Sequence, residues 1–215
     1  MRYDAAIFDL DGTLLNTIDD LKNSINHALS VCGYPPRTRA EVLAFVGNGV
    51  PRLVELAVPP GTPADRRQAV LDAMNAHYAA HCAQLTRPYP GVTDVLRTLR
   101  AAGVRVAVVS NKPDYGVQEL CARYFPGLLD SAVGMREGIR KKPYPDAVEA
   151  ALAAFGVPPE RAVYIGDSEV DVQTGKNAHT ALISVDWGFR THAQLVEAGA
   201  EHIVSDADAL LALLR

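Results

Sequence analysis

Short apolar runs alternate with longer amphipathic segments along this 215-residue chain. Four of the runs are rich in alanine, valine and isoleucine, and each predicts a strand: Ala5–Phe8, Val104–Val109, Ala162–Ile165 and Ala181–Val185. His202–Val204 is a weaker fifth candidate. Runs that are apolar at successive positions are typical of strands buried on both faces of a parallel sheet. Because helical segments separate them, the pattern predicts an α/β fold with a doubly wound, Rossmann-like parallel sheet and right-handed crossovers.

The stretch between residues 14 and 87 breaks this alternation, since it contains no convincing strand. Thr17, Thr38 and Thr62 are instead typical residues at the start of helices. A crossover between parallel strands needs only about a dozen residues, so this stretch is too long to be one. We therefore expect a helical cap domain inserted into an α/β core, with residues 14–87 forming the cap and residues 1–13 and 88–215 forming the core.

Polar residues follow three of the predicted strands. Asp9 comes after the first, Ser110 and Asn111 after the second, and Asp167 after the third. In an open parallel sheet the carboxyl ends of the strands lie along one edge, where ligands bind. We therefore expect these side chains to meet in one crevice, although the order of the strands stays open.

The segment after the first strand carries two carboxylates and a turn. Asp9 and Asp11 point to the same side of an extended segment, and they repel each other unless a cation or a proton intervenes. Gly12 allows a sharp turn that brings backbone N–H groups close to an anion. Asp167 adds a third carboxylate, and a set of oxygen donors suits Mg²⁺ better than zinc. With Lys142 as a positive charge, these residue types indicate phosphoryl transfer.

Four short motifs resemble those of the haloacid dehalogenase-like hydrolase superfamily. They stand in the order and at the spacing of that superfamily: Asp9–Leu15, Ser110–Asn111, Lys142–Pro143, and Gly166–Ser168 followed by Asp171. Each fragment alone is weak, but four ordered fragments identify the chain as a member. The helical insertion resembles the cap between the first two motifs. In addition, Val46–Gly49 and Trp187–Arg190 resemble segments of the phosphoglycolate phosphatases within that superfamily.

The resemblance implies catalytic and metal-binding roles for four aspartates. Asp9 is the nucleophile that forms an aspartyl-phosphate, while Asp11 protonates the leaving alkoxide and later takes a proton from water. Mg²⁺ is held by Asp9, the backbone carbonyl of Asp11, and Asp167, with Asp171 binding directly or assisting from behind. Asp171 also stands three residues after Ser168, where it would complete a helix N-cap. The sequence leaves the ligand and the cap interpretations of Asp171 both open.

The same resemblance implies which residues bind substrate. The residues that contact the phosphate are Gly12, Thr13, Ser110, Asn111 and Lys142. From the residues themselves, Gly47, Asn48 and Gly49 in the cap are suited to present backbone N–H groups to a carboxylate of the substrate, with Arg52 assisting. These glycines are equally suited to interrupt the chain before a helix at Pro51, so both interpretations stay open.

The set of residues favours a phosphatase that acts on a small phosphate monoester, with 2-phosphoglycolate as the leading substrate. A dehalogenase releases halide and needs no acid for a leaving oxygen, so Asp11 favours phosphate esters. Open alternatives are hydrolysis of pyrophosphate, of sugar phosphates or of nucleotide phosphates, a phosphomutase, and a non-catalytic binder that senses phosphate or Mg²⁺. Asn16, Gly175 and His179 differ from residues frequent in the family, and these differences bear on the substrate rather than the core chemistry.

Composition narrows the class of protein further. The chain carries 21 basic and 25 acidic residues and only 7% aromatic residues, which argues against a nucleic-acid-binding surface. No run approaches the roughly 18 apolar residues of a membrane helix, and early acidic residues interrupt any signal segment. Three widely spaced cysteines, Cys32, Cys82 and Cys121, favour a reducing compartment, and we expect all three to be buried. The sequence thus predicts a cytoplasmic monomer or homodimer whose partner is a small phosphorylated metabolite.

Overall fold

The computed structural model describes all 215 residues and divides them into two compact units. We call Met1–Leu15 together with Pro88–Arg215 the core unit, and Asn16–Arg87 the helical unit. None of the helices has the length and apolar character that crossing a bilayer would require.

Eight strands form one large sheet and one small sheet. Their bounds, in chain order, are β1 (Ala5–Phe8), β2 (Leu15–Asn16), β3 (Arg87–Pro88), β4 (Arg105–Pro113), β5 (Ser131–Met135), β6 (Ala162–Gly166), β7 (Ala181–Val185) and β8 (Ile203–Val204). The large sheet is parallel, with the order β5-β4-β1-β6-β7-β8, and β2 pairs with β3. The chain runs outward from β1 to β5 and then returns to β6 on the other side of β1. This confirms the predicted doubly wound α/β fold and puts the reversal of strand order at β1.

The register of the central strands determines which residues leave the sheet together. Phe8, the last residue of β1, is aligned with Val108 of β4 and with Ile165 of β6. Within one or two residues beyond this level each strand reaches a polar residue, at Asp9, Ser110 and Asp167, as predicted. The carboxyl ends of the three strands therefore deliver their polar residues to one edge of the sheet.

The apolar pattern failed to predict β5. This strand lies at the edge of the sheet, and its sequence is Ser-Ala-Val-Gly-Met, mostly half-buried. A serine and a glycine interrupt the apolar run, because an edge strand buries fewer side chains than a central strand. The strands β2 and β3 were also missed, since two residues are too few to show a period.

Ten α-helices complete the two units. Their bounds are α1 (Ile18–Val31), α2 (Arg39–Phe45), α3 (Val50–Ala57), α4 (Ala64–His81), α5 (Val92–Ala101), α6 (Asp114–Tyr124), α7 (Asp146–Phe155), α8 (Glu169–Asn177), α9 (His192–Glu197) and α10 (Ala207–Leu214). Thr38 begins α2 with a capping box that includes Glu41, as expected. Thr17 precedes α1 without a side-chain capping bond, and Pro63 rather than Thr62 is the N-cap of α4.

The interior of the core unit is packed on both faces of its central strands. All four residues of β1 are buried. On one face, Ile7 of β1 and Tyr164 of β6 pack with Val148 and Leu152 of α7. Burial of an apolar side chain of this size contributes roughly 1.5–3 kcal/mol, so these contacts make the sheet a rigid support for the loops at its edge.

The helical unit is built around the pairing of α1 with α4. Ile25 and Leu29 of α1 are fully buried, as are Val70, Met74 and Tyr78 of α4. Within each helix these residues recur four positions apart, which puts them on one face. The unit therefore has an apolar interior of its own.

One of the three cysteines departs from the prediction. Cys82 and Cys121 are buried, whereas Cys32 is only half-buried. Cys32 is the C-cap of α1, just before a glycine turn with φ of +77° at Gly33. The prediction that all three cysteines are buried is therefore wrong for Cys32, because a helix end lies nearer the surface than the helix interior.

Candidate active site

Asp9 stands directly after β1, where the order of the strands reverses. Its backbone N–H donates a hydrogen bond to the carbonyl oxygen of Ile165 at 2.8 Å, which fixes the following loop to β6. Its carboxylate is buried and lies 2.7 Å from the ammonium nitrogen of Lys142. Gly12 then turns the loop with φ of +92°, and a Cβ at this position would collide with the carboxylate of Asp167. The backbone angle and this close approach both require glycine at position 12.

Three buried carboxylates lie together at this edge. Asp9, Asp167 and Asp171 each offer an oxygen, and these oxygens are within 4.8 Å of one another. Burial raises the pKa of Asp9 to about 7, against the opposing charge of Lys142. Burial, followed by the charges of Asp171 and Asp9, also raises the pKa of Asp167 well above its usual range. A cluster of buried oxygen donors that resists holding so much negative charge fits a hard divalent cation.

Two neighbouring segments hold the Asp167 carboxylate. The hydroxyl of Thr13 donates to Oδ1 at 3.1 Å, and the backbone N–H of Phe189 donates to Oδ2 at 2.7 Å. The indole N–H of Trp187 donates to the carbonyl oxygen of Thr13 at 3.1 Å, which ties the two segments together. A Cβ on Gly188 would collide with Asp167. The Trp-Gly-Phe sequence therefore acts structurally, by wrapping the backbone closely around one carboxylate.

Lys142 is buried among three oxygen-bearing groups. Its ammonium group contacts Asp9 at 2.7 Å, and it donates to Asp171 Oδ1 at 2.8 Å and to the Tyr164 hydroxyl at 3.0 Å. Although burial disfavours the charged form, the charges of Asp171 and Asp9 raise the pKa of Lys142 well above its usual value. The lysine is therefore a fixed positive charge beside the candidate nucleophile.

Asp171 uses both of its carboxylate oxygens within the protein. Oδ1 accepts hydrogen bonds from Lys142 and from the hydroxyl of Tyr164, at 2.8 and 3.0 Å. Oδ2 accepts from the backbone N–H and the hydroxyl of Ser168, which closes a capping box at the start of α8. The capping interpretation of Asp171 is therefore confirmed. Its oxygens also belong to the carboxylate cluster, so a part in cation binding stays a prediction.

The residues after β4 are linked to the Lys142 loop. The side chain of Asn111 accepts a hydrogen bond from the backbone N–H of Lys142 at 2.9 Å and donates one to its carbonyl oxygen at 3.1 Å. Ser110 is buried beside it, and its hydroxyl accepts a hydrogen bond from the backbone N–H of Lys112 at 3.3 Å. Two predicted phosphate-binding segments that are distant in sequence thus lie side by side.

Lys112 is a residue of the site that the sequence analysis missed. Its ammonium group donates to Asp11 Oδ1 at 2.8 Å and to Oδ2 at 2.9 Å. The lysine side chain is 1% exposed, against 19% for Asp11. A signal existed in the sequence, because Lys112 directly follows Ser110 and Asn111 at the end of a buried strand, where a solvated lysine is unexpected.

Tyr164 was missed for a different reason. It lies within the apolar run of β6, and aromatic side chains are common in such strands. Its hydroxyl nevertheless meets both Lys142 and Asp171, and burial raises its pKa well above the usual value. The tyrosine therefore contributes a neutral hydroxyl that bridges a lysine and a carboxylate.

The predicted substrate-binding residues of the cap belong to the helical unit. Gly47, Asn48 and Gly49 join α2 to α3, and both glycines have positive φ, at +122° and +86°. Arg52, on α3, pairs with Glu55 at 2.6 Å and helps to line a cavity of about 320 Å³ within this unit. Their role toward a substrate stays a prediction.

Known proteins resemble the chain over nearly its whole length. A family model described as haloacid dehalogenase-like hydrolase matches residues 6–185, a span that contains all the candidate site residues. A phosphoglycolate phosphatase of Cereibacter sphaeroides is 38% identical over 215 residues, covering 97% of this chain and 96% of that protein.

Solved structures share the fold as well. A protein from Lactobacillus delbrueckii subsp. bulgaricus has a TM-score of 0.95 at 38% identity, covering 100% of this chain and 99% of the other. A variant of CbbY from Rhodobacter sphaeroides, in complex with xylulose-(1,5)bisphosphate, has a TM-score of 0.76 at 26% identity, with coverage of 94% and 93%.

Proposed function

This chain belongs to the haloacid dehalogenase-like hydrolase family and hydrolyses a phosphoric monoester, and we propose that it uses Mg²⁺, forms an aspartyl-phosphate on Asp9, and acts on 2-phosphoglycolate. The observation that carries the mechanism is the buried contact of Asp9 with Lys142, beside the carboxylates of Asp167 and Asp171. Such a group combines a nucleophile with a fixed cation and with donors for a second cation.

Asp9 supplies the nucleophile in the first half-reaction. A carboxylate oxygen of Asp9 bonds to phosphorus while the bond from phosphorus to the ester oxygen breaks, and the leaving oxygen takes the electron pair. Asp11 gives that oxygen a proton, so the product leaves as an alcohol. Lys142 favours the ionised form of Asp9 and stabilises the negative charge of the phosphoryl oxygens.

The second half-reaction restores the enzyme. A water molecule bonds to phosphorus, the bond between phosphorus and Asp9 breaks, and Asp11 accepts the proton that the water loses. Ser110, the backbone of Asn111, and Lys142 bind the phosphoryl oxygens in both halves. Asn111 supports this binding through its two hydrogen bonds to the backbone of Lys142.

The donors at the edge of the sheet fit Mg²⁺. Asp9, the backbone carbonyl of Asp11, and Asp167 would hold the ion, with Asp171 behind them. Buried oxygen donors whose pKa values are raised by burial and mutual repulsion support this assignment. When bound, the ion supplies positive charge that offsets the charge of the phosphoryl oxygens.

The substrate assignment depends on the relatives and on the helical unit. The phosphoglycolate phosphatase of Cereibacter sphaeroides matches this chain over nearly its full length. The backbone N–H groups of Gly47–Gly49 and the guanidinium of Arg52 would bind the carboxylate of 2-phosphoglycolate. Arg52 would have to leave Glu55, and an exposed ion pair of this kind is worth only about 0–1 kcal/mol.

A sugar bisphosphate is the second candidate substrate. It is favoured by the structural similarity to CbbY, whose solved complex contains xylulose-(1,5)bisphosphate. The two candidates differ in what stands opposite the reacting phosphate, a carboxylate in one and a second phosphate in the other. In either case the partner is a small phosphorylated metabolite. We further propose a cytoplasmic location and a monomer or homodimer, on the grounds of the sequence.

The test is a comparison of kcat/KM for 2-phosphoglycolate, a sugar bisphosphate, pyrophosphate and a nucleoside monophosphate, by release of inorganic phosphate. We expect 2-phosphoglycolate to have the highest value and EDTA to abolish turnover. Asp9→Asn should abolish it as well, while Asp208→Asn, an exposed aspartate of α10, should not. A higher kcat/KM for another ester would overturn the substrate, and full activity of Asp9→Asn would overturn the covalent mechanism.

A further inference from the structure

Lys112 is the only hydrogen-bonding partner of the Asp11 carboxylate. The ammonium group donates to both carboxylate oxygens, at 2.8 and 2.9 Å. Because one ammonium nitrogen lies almost equally far from both oxygens, it holds the carboxylate in position as a point charge that both oxygens share. Asp11 itself lies in the turn before Gly12 and is partly exposed, so little else restrains its side chain.

The fold holds Lys112 from several sides. Its backbone N–H donates to the hydroxyl of Ser110 at 3.3 Å. Its methylene chain runs against Gly116 of α6, since a Cβ there would lie 3.3–3.5 Å from the Cε, Cδ and Cγ atoms of Lys112. A lysine whose side chain is 1% exposed is directed by its surroundings rather than free to swing in solvent. The surrounding fold therefore positions the ammonium group of Lys112 next to Asp11.

The two half-reactions both need the carboxyl group of Asp11 at one place. The group gives a proton to the leaving oxygen in the first and takes a proton from water in the second, and the two oxygens occupy the same side of phosphorus. We propose that Lys112 is a positioning residue that holds the Asp11 carboxyl group at this place through the contact of its ammonium group with both oxygens. This inference rests on the acid–base role proposed for Asp11. The contact also connects the position of Asp11 with the phosphate-binding residues, because Lys112 and Ser110 both lie at the end of β4.

The test compares esters whose leaving groups differ in their need for a proton. An alkyl phosphate such as 2-phosphoglycolate needs the acid, whereas p-nitrophenolate leaves as a stable anion and needs little help. The variants are Lys112→Met, Asp11→Asn and the double variant. Lys112→Met keeps a side chain of similar length alongside Gly116 and removes only the ammonium group. The measurements are kcat and KM, and the rate of the pre-steady-state burst of p-nitrophenol.

If Lys112 acts through Asp11, Lys112→Met lowers kcat on 2-phosphoglycolate by about 30-fold or more, with KM changed by less than about threefold. The burst rate with p-nitrophenyl phosphate changes by less than about threefold, because phosphorylation then needs no acid. In the Asp11→Asn background, Lys112→Met lowers kcat on 2-phosphoglycolate by less than about a further twofold. An equal loss on both esters, or a full additional loss in the Asp11→Asn background, would overturn the proposal.

Two controls separate the possible failures. Lys176→Met, at an exposed lysine of α8, should leave every rate unchanged. Lys112→Gln, which retains an N–H donor, should recover part of the kcat lost in Lys112→Met if the contact matters. Circular dichroism checks that Lys112→Met and Lys112→Gln are both folded. A wild-type enzyme inactive on 2-phosphoglycolate but active on another alkyl ester would overturn only the proposed substrate. The single variants Lys112→Met and Asp11→Asn and the double variant would then be measured on that ester.

Discussion

Asn111 is joined to Lys142 by two hydrogen bonds between its side-chain amide and the lysine backbone, at 2.9 and 3.1 Å. The amide takes the place of a neighbouring strand, since it satisfies both the N–H and the C=O of Lys142. It therefore fixes the point from which the Lys142 side chain reaches Asp9.

We predict that Asn111→Ala weakens binding of phosphate as well as the fold. Leaving the buried backbone groups of Lys142 without partners should lower the free energy of unfolding by about 1–3 kcal/mol. The displaced loop should raise the inhibition constant of inorganic phosphate by roughly tenfold or more, which corresponds to at least about 1.4 kcal/mol. Thermal unfolding and competitive inhibition measure the two effects.

Asn26 provides a matched control in the helical unit. Its side chain makes the same pair of hydrogen bonds to the backbone of Arg37, at 2.7 and 2.9 Å. Asn26→Ala should lower stability by a similar amount and leave the inhibition constant of phosphate unchanged. Equal effects of the two variants on phosphate inhibition would contradict the positioning role of Asn111.

Mg²⁺ should stabilise the protein more at high pH than at low pH. Burial raises the pKa of Asp9 from 3.8 to about 7, and the pKa of Asp167 is raised as well, so the folded metal-free protein binds protons more tightly than the unfolded chain. The stability from these protons is present below about pH 4 and is lost as the pH rises toward 7. We expect Mg²⁺ to replace these protons as the charge that balances the carboxylates.

The measurement is the rise in Tm on adding Mg²⁺, at several pH values. At a concentration 100 times its Kd at pH 8, Mg²⁺ should raise the free energy of unfolding by about 2.7 kcal/mol at that pH. The same concentration should raise it clearly less near pH 5.5, because protons compete for the carboxylates. Asp167→Asn, which removes one carboxylate, should reduce the rise in Tm at both pH values. A rise in Tm that is the same at every pH would show that these carboxylates do not take up protons.

Much of the fold and the geometry of the site follows from the sequence. The buried strands β1, β4 and β6 are readable from their continuous apolar runs, and parallel strands must end at one edge. The meeting of Asp9 with Asp167 needs little more than this, whereas Lys142 follows β5, which the apolar pattern did not predict. This strand was missed because its side chains are half-buried and a glycine interrupts it.

Contacts between individual side chains could not be predicted from the sequence. The pairing of Lys112 with Asp11 depends on the alignment of β1 with β4 and on the space left by Gly116. The hydroxyl of Tyr164 reaches Lys142 only because β6 lies directly beside β1. Apolar periodicity reports which face of a strand is buried, and it carries no information about which neighbour a polar atom meets there.

Gly188→Ala should impair cation binding specifically. A Cβ at this position would collide with the carboxylate of Asp167 and with the carbonyl oxygen of Gly12, so one of them must move. We expect the Mg²⁺-dependent rise in Tm to fall by more than half and turnover to fall by about 10²-fold, because a misplacement of about 1 Å costs that much. Thermal unfolding with and without Mg²⁺ measures the first effect.

Gly156→Ala is the control for a general loss of stability. Gly156 ends α7 with φ of +66°, and nothing lies within 4 Å of the position that its Cβ would take. The alanine should cost about 1–2 kcal/mol through backbone strain alone and leave the effect of Mg²⁺ intact. If Gly156→Ala reduced the effect of Mg²⁺ as much as Gly188→Ala, the steric argument for Gly188 would fail.

The helical unit should lose stability on acidification through a stack of three histidines. The ring of His77 lies between those of His27 and His81, with centroids 4.2 and 4.0 Å apart, and its Nδ1 is 2.9 Å from the hydroxyl of Ser24. Burial, followed by the charges of His81 and His27, lowers the pKa of His77 below 6.5. The folded state therefore binds this proton less tightly than the unfolded chain, and stability is lost as the pH falls below about 6.5.

His77→Gln removes the titrating ring and keeps a polar side chain near Ser24. With Mg²⁺ saturating, the Tm of the wild type relative to His77→Gln should be higher near pH 7.5 than near pH 5.5. A difference that does not change over this range would show that protonation of His77 is not coupled to unfolding.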